Sequence, residues 1–254
     1  MTEYIHSLLD IVKKAGQAIL EIYDQPDISV ALKKDASPLT AADMASHLII
    51  VEALQKINPA IPIVSEEGRK QDLQASMQKM FWCVDPLDGT KEFLKRNGEF
   101  TVNIGLIVDQ KPELGVVYAP VTDMFYYGAS GLGSFKMTGA GPALPIRVSK
   151  RTTGLVAVGS RSHQHPEEEK FLSGLGIAKL IAKGSSLKLC LVAEGAADIY
   201  YRHGPTMEWD TAAGHAVVAN AGGRITGLNG DDLMYGKPGM LNPGFICQSD
   251  AFQR

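Results

Sequence analysis

Phe81-Trp82-Cys83-Val84-Asp85-Pro86-Leu87-Asp88-Gly89-Thr90 joins a short apolar run to two carboxylates three residues apart. Four bulky apolar residues in a row are the pattern of a buried strand. Pro86 keeps Asp85 out of helical geometry, so both acids can turn toward one point. Gly89 permits close backbone approach, and a helix beginning there would offer the amides of Gly89 and Thr90 to an anion. Two carboxylates beside an anion hole make sense when a cation sits between them and a phosphate, and hard oxygen donors suit Mg²⁺. Taken alone, the same string is also an ordinary Asp-Pro-Gly surface turn.

A second acidic stretch changes that balance. Ile61-Pro62-Ile63-Val64 is a second apolar run, and it leads into Ser65-Glu66-Glu67. Two buried strands ending in acids suggest one site that needs several negative charges, whereas a charge pair after an edge strand would simply be solvated. Trp209-Asp210-Thr211-Ala212-Ala213-Gly214 places Asp210 as the expected N-cap of a helix running through Ala221. Such a carboxylate can cap and still point into a cleft. Thr40-Ala41-Ala42-Asp43 has the form of a capping box. Alternatively, Asp43 accepts a hydrogen bond from Thr90, whose hydroxyl then orients or deprotonates an attacking water.

Around these stretches the periodicity changes along the chain. Ile5, Leu8, Leu9, Val12, Ala15, Ile19 and Ile22 form one helical stripe, and Met44, Leu48, Val51 and Leu54 a second. Residues 100–108 and 113–119, then 124–128 and 133–137, read as hairpins. Gly139 to Pro145 reads as a linker between an N-terminal half, 1–138, and a C-terminal half, 139–254. Beyond it strands (155–158, 179–182, 199–201) alternate with helices (166–175, 185–194, 211–221), and residues 224–226 begin a last strand. The fold class is therefore mixed α/β.

The 254 residues carry 25 basic and 28 acidic side chains, a net charge of −3. No basic field is available for a nucleic acid polymer. Apolar residues at 45% and charged residues at 21% are those of a globular chain, not a disordered one. Cys83, Cys190 and Cys247 are far apart and form neither a zinc motif nor a disulfide framework. The N-terminal residues lack the basic start and apolar run of a signal peptide, and no apolar stretch of spanning length is present. The expectation is a soluble, cytoplasmic protein with reduced thiols.

In combination, Trp82 to Thr90, Trp209 to Gly214 and Ser65-Glu66-Glu67 resemble the signatures of the inositol monophosphatase superfamily. The resemblance covers nearly the whole chain. It implies a layered α/β/α/β/α architecture and a metal-dependent phosphomonoesterase. It further implies that Glu66, Asp85 and the Leu87 carbonyl bind one Mg²⁺, and that Asp85, Asp88 and Asp210 bind a second. Glu66 would help hold a third ion or its water, and Glu67 would stand behind these ligands. The Gly89 and Thr90 amides would hold phosphate, with Asp43 and Thr90 serving the water.

Within the superfamily, Asp88-Gly89-Thr90-Lys91-Glu92-Phe93 departs from the DGTTNF form usual in inositol monophosphatases. Together with Arg96 to Ile104, Ser160-Arg161-Ser162-His163, Gly184 to Lys188 and Leu241 to Phe245, it is similar to the bacterial 3'(2'),5'-bisphosphate nucleotidase branch. That branch implies hydrolysis of adenosine 3',5'-bisphosphate to AMP and phosphate, linked to sulfate assimilation. The other readings are an inositol monophosphatase or a broader sugar phosphatase, and a catalytically idle anion-binding protein. Lys188, Arg202 and, more weakly, His163 are the candidate donors to the nucleotide's second phosphate, and the resemblance implies that Ser185, Lys188 and Arg202 contact the nucleotide. Their plain alternatives are helix capping and solvated charge. The branch also implies peripheral association with the cytoplasmic face of the inner membrane, although no anchor is visible in the sequence.

Overall fold

The computed structural model describes residues 2–25, 30–32, 38–69, 75–162 and 165–249. His163 and the polar stretch 33–37 lie outside them.

The first stripe forms α1 (Ile5–Tyr23). A short antiparallel pair, β1 (Val30–Leu32) and β2 (Pro38–Thr40), leads into α2 (Ala41–Ile57). Then come β3 (Ile63–Ser65), β4 (Met80–Asp88), the short α3 (Thr90–Leu94), β5 (Thr101–Val108), β6 (Lys111–Ala119), β7 (Met124–Ala129), β8 (Gly133–Thr138) and β9 (Leu144–Ile146). These seven strands make one sheet in sequence order. Every neighbouring pair is antiparallel except β3 and β4, which run parallel. β9 falls inside the stretch read as a linker. Pro145 is tolerated there because β9 is an edge strand, where a missing N–H leaves no ladder bond unmade.

The remaining elements are β10 (Leu155–Ser160), α4 (Pro166–Ser173), β11 (Ile177–Lys183), α5 (Leu187–Ala193), β12 (Ile199–Arg202), β13 (Thr206–Met207), α6 (Ala212–Asn220), β14 (Gly223–Gly227), β15 (Leu241–Asn242) and β16 (Phe245–Ser249). A second sheet has the order β11-β10-β12-β16-β14. The alternating strands β10, β11 and β12 pair in parallel, as βαβ units do, while β16 enters antiparallel between β12 and β14. The sequence pattern had not marked β16.

Side-chain alternation builds the layers. Trp82 and Val84 of β4 face α1 and α2, and Phe81 and Cys83 face the opposite side with Trp209 and Ala212. Val117 and Tyr126 meet α5 and α6, whose other side packs on Tyr200, Phe245 and Cys247 of the second sheet. Leu172 of α4 covers the far face through Ala157, Ile199 and Tyr201. The stacking is α/β/α/β/α. No helix among the described residues is long and apolar enough to cross a membrane.

One feature of this packing bears directly on the acids. Gly105, Gly115 and Gly128 are register partners on β5, β6 and β7. A Cβ at Gly115 would lie 2.2 Å from the Ala213 carbonyl oxygen, and one at Gly105 3.0 Å from Ala212 Cβ. This ladder of glycines lets the start of α6 lie directly on the sheet. Asp210 is thereby brought to the same side as the acids of β4.

Candidate active site

Four stretches converge at the ends of β3 and β4. Val64 pairs with Cys83 and Ser65 with Val84, and the Glu66 amide donates to the Val84 carbonyl at 3.1 Å. Because the two strands are parallel, Glu66 and Asp85 leave them on the same side.

The Asp85-Pro86-Leu87-Asp88 segment is a bulge. Asp85 pairs with Asn103 and Asp88 with Thr101, so three steps on β4 oppose two on β5. In a regular strand, residues three apart point to opposite faces. The extra residue puts Asp85 and Asp88 on the face shared by Thr101 and Asn103. Asp85 Oδ1 accepts the Leu87 amide at 3.1 Å, and the Ser46 hydroxyl of α2 donates to the Pro86 carbonyl at 2.7 Å. Both bonds hold the bulge without requiring an N–H from Pro86.

Gly89 has φ +94, in the left-handed region, and α3 begins at Thr90. The turn therefore needs glycine, and a Cβ there would also sit 3.3 Å from both the Glu99 carbonyl oxygen and Ser185 Cβ.

Asp210 arrives from the other side of the cleft. It is not the N-cap of α6, as its sequence position suggested: Thr211 occupies that place. Asp210 ends a 3₁₀ turn, Glu208–Asp210, and its Oδ2 accepts the Met207 amide at 2.9 Å. The chain tightens into that turn one residue earlier than a regular α6 cap would.

These carboxylates lie within one another's fields. Asp85 is buried, and burial followed by the charges of Glu66, Asp88, Asp210 and Asp43 pushes its pKa well above the usual carboxylate range. Asp210 is pushed up to about 8 by burial, then by Asp88 and Glu66. Asp88 is raised by burial, against Lys188 and the Ser186 amide, which favour its ionised form. Such an acid cluster is unstable without cations. Its donors are all oxygens, four carboxylates and the Leu87 carbonyl, and that set fits Mg²⁺. Among the described residues no three His, Cys, Asp or Glu side chains are already drawn to ligand spacing. The carboxylates turn instead to the amides of Leu87, Ser186 and Met207.

Lys188 is buried, and its Nζ donates to the Ser185 carbonyl at 2.6 Å. Burial lowers its pKa, Asp88 raises it and Arg202 lowers it, so all three groups share one neighbourhood. Lys188, Arg202, Ser185, Tyr200 and Phe245 line the cleft that also holds Asp88, Gly89, Thr90 and Asp210.

Asp43 is buried on the first turn of α2, and its charge reaches Asp85. The side chain of Thr40, and with it the expected capping box, lies outside what is described of the structure. Ser185 has φ +49 and precedes α5, whose N-cap position is Ser186.

Two positions escaped the sequence reading. Asn103 Nδ2 donates to Asp88 at 3.4 Å, and the Ser186 hydroxyl donates to Asn103 Oδ1 at 2.8 Å. The signal available was the polar alternation of Thr101 and Asn103 in an otherwise apolar strand.

Comparison with known proteins agrees with this geometry. The inositol monophosphatase family matches residues 1–251. A 3'(2'),5'-bisphosphate nucleotidase CysQ of Salmonella typhimurium is 45% identical over 243 residues, covering 95% of this chain and 98% of that protein. One from Buchnera aphidicola is 42% identical over 249 residues, 96% of this chain and 93% of that protein. Among solved structures, CysQ from Bacteroides thetaiotaomicron superposes with a TM-score of 0.86 at 41% identity, covering 96% of each chain. The suhB protein of Bartonella henselae gives 0.79 at 26% identity, covering 98% of this chain and 95% of that one. With its paired acid-bearing strands, its bulge and a match along almost all of its length, the chain belongs to the inositol monophosphatase family.

Proposed function

We propose that the chain is a Mg²⁺-dependent nucleotidase that hydrolyses the 3'-phosphate of adenosine 3',5'-bisphosphate, yielding AMP and phosphate. The observation that carries this reading is the pair of cations at the cleft. Lys188 and Arg202 stand beside Asp88 in a chain whose net charge is −3. A monoester needs one anion site, and the amides of Gly89 and Thr90 provide it. A second phosphate needs its own donors, and these two side chains supply them through charge-assisted hydrogen bonds. The relatives named as bisphosphate nucleotidases support the same substrate.

Glu66, Asp85 and the Leu87 carbonyl would hold one Mg²⁺, and Asp85, Asp88 and Asp210 a second, with Glu66 near a third. Bound there, Mg²⁺ supplies Lewis acidity toward water and charge compensation at the leaving ribose oxygen. The chain's own residues do the rest. Thr90 presents its hydroxyl at the start of α3, and Asp43 accepts that proton and orients the nucleophile. Ser185 and Lys188 fix the nucleotide from the opposite wall, and Tyr200 and Phe245 exclude water behind it. On this reading residues 1–138 carry most of the acids, and residues 139–254 carry Asp210 and the nucleotide contacts. The protein works in the cytoplasm, which accords with its three buried free thiols.

The test is kcat/KM for adenosine 3',5'-bisphosphate, 3'-AMP and inositol 1-phosphate, side by side in Mg²⁺. The bisphosphate should be preferred by at least about tenfold, the worth of one charge-assisted bond. Preference for inositol 1-phosphate would overturn the substrate while leaving the acid cluster in place.

A further inference from the structure

We propose that Glu99 is a positioning residue whose carboxylate sets the turn that carries Ser185 and Lys188, and so governs selectivity for the second phosphate. The inference rests on the nucleotidase reading for its substrate, but its structural part stands on distances alone.

Glu99 lies just before β5, with its side chain largely enclosed. Its Oε2 accepts the Gly184 amide at 2.8 Å. Arg161, just past the end of β10, forks onto both oxygens, Nε to Oε2 at 2.7 Å and Nη2 to Oε1 at 2.9 Å. Lys183, the last residue of β11, adds a contact to Oε1 at 3.2 Å. Arg161 also donates to the Ala182 carbonyl at 2.9 Å, which ties the ends of β10 and β11 together. One carboxylate from the first sheet thus receives three partners from the second.

The turn it holds is under strain and in use. Ser185 has φ +49, a conformation that non-glycine residues seldom adopt unless their surroundings enforce it. Its carbonyl accepts Lys188 Nζ, and the next amide, Ser186 N–H, donates to Asp88. Space around the turn is also filled. A Cβ on Gly184 would lie 2.8 Å from the Glu99 carbonyl oxygen and 3.0 Å from Glu99 Cβ. The Glu99 carboxylate grips the amide immediately before the strained residue, Lys188 its carbonyl and Asp88 the amide after it, so Glu99 fixes the entry side of that geometry. Burial pushes its pKa up, but the bonds from Arg161, Gly184 and Lys183 outweigh that and hold it at about 2. It is therefore ionised at working pH.

Glu99→Gln keeps the shape and removes the charge. In the full-length enzyme with Mg²⁺, hydrogen exchange at amides 184–188 should speed up by about tenfold or more, as expected when a charge-assisted bond is lost. KM for the bisphosphate should rise by roughly tenfold, with a smaller change in kcat, while KM for 3'-AMP stays within about twofold. Arg161→Lys keeps the cation but loses the fork, and should show the same pattern more weakly. It also serves as the informative variant should Glu99→Gln fold poorly. Unchanged exchange and unchanged KM would overturn the inference. So would an equal loss on both substrates accompanied by a drop in Tm, because that is what a merely structural ion pair produces. If the wild type does not turn over the bisphosphate, the substrate reading falls, and the exchange data alone decide whether Glu99 holds the turn.

Discussion

Glu66 and Asp85 stand side by side because β3 and β4 run parallel in register, with the Glu66 amide bonded to the Val84 carbonyl at 3.1 Å. An antiparallel pair would have sent them to opposite ends of the two strands. Asp88 joins them through the bulge, and Asp210 through the close seat of α6.

Four carboxylates in one cleft repel, and the repulsion should be measurable as stability. Without Mg²⁺, Asp210→Asn should melt at or above the wild-type temperature, since the amide oxygen can still accept the Met207 N–H. With saturating Mg²⁺ the wild type should gain several degrees, because a ligand that binds only the folded state stabilises it. The variant should gain little, and its turnover should fall by orders of magnitude. Asp88→Asn should behave alike. Near-normal turnover together with a wild-type Mg²⁺ shift would remove that residue from the metal site.

Thr90 and Asp43 form the second test. If the hydroxyl of Thr90 acts on the attacking water, Thr90→Val should lose kcat by about 10²-fold or more, with little change in KM. Asp43→Asn should match it, and the double variant should be no worse than either single one. Losses that multiply would assign Asp43 to the packing of α2 instead.

Glu66, Asp85 and Asp88 stood out in the sequence because they lie in short local strings of an apolar run, then carboxylates, then glycine, whereas Asp210 and Asp43 sit at helix starts without such a run. Their chemistry constrains residue type within a few positions. The helix α1 was legible from its stripe, whereas α2 forms where expected but does not bury the stripe read for it: Met44 and Leu48 are exposed, and Ala42, Ser46, Ile50 and Leu54 face inward instead. β16 was not legible, because its place in the middle of a sheet is set by partners on β12 and β14 that lie far from it in sequence. β9 was hidden by Pro142 and Pro145, which look like linker residues until an edge position makes them harmless. Asp210 was read as the cap of α6, but the 3₁₀ turn before that helix shifts the cap to Thr211. The role of Glu99 depends on partners 62 and 85 residues away, which no local pattern encodes.

The glycine ladder predicts a mutation far from the chemistry that still damages it. Gly115→Ala places a methyl group 2.2 Å from the Ala213 carbonyl oxygen, and backbone cannot rotate aside as a flexible side chain can. Overpacking of this kind costs about 1–3 kcal/mol, a fall in Tm of several degrees. Displacement of α6 would carry Asp210 with it. Assayed well below its Tm, the variant should therefore lose more activity than its folded fraction explains. Full activity per folded molecule would show that α6 can shift without moving Asp210.

His215 gives the fold an acid-sensitive point away from the cleft. It is buried on α6, its Nδ1 is 3.0 Å from the Tyr235 hydroxyl, and burial lowers its pKa to about 4 from 6.5. Above pH 6.5 it is neutral in both folded and unfolded chains, and its contribution is complete. Between 6.5 and 4 only the unfolded chain takes the proton, so stability falls by up to about 3 kcal/mol. Denaturant unfolding at a series of pH values should show a shallower decline over that window in His215→Gln than in wild type. Equal slopes would place the acid sensitivity elsewhere.

Selectivity is the property most specific to the proposed substrate, and Lys188 and Arg202 should control it. Each charge-assisted hydrogen bond to the second phosphate contributes about 1.5–3 kcal/mol. Removing one should reduce kcat/KM for the bisphosphate by roughly tenfold to a few hundredfold. 3'-AMP has no 5'-phosphate for that cation to hold, so it should be nearly unaffected. Lys188→Ala carries a complication that can be worked out beforehand. Its ammonium also favours the ionised form of Asp88 and donates to the Ser185 carbonyl. A part of its effect should therefore fall on both substrates through kcat. Arg202 ends β12, so Arg202→Ala tests the second phosphate from a different element. The decisive quantity is the ratio of kcat/KM values for bisphosphate and 3'-AMP. It should collapse toward one in both variants, with an extra common loss in Lys188→Ala. If the ratio is preserved while both rates drop, the cations serve the shared phosphate or the fold, and the second phosphate is read by other residues of the cleft.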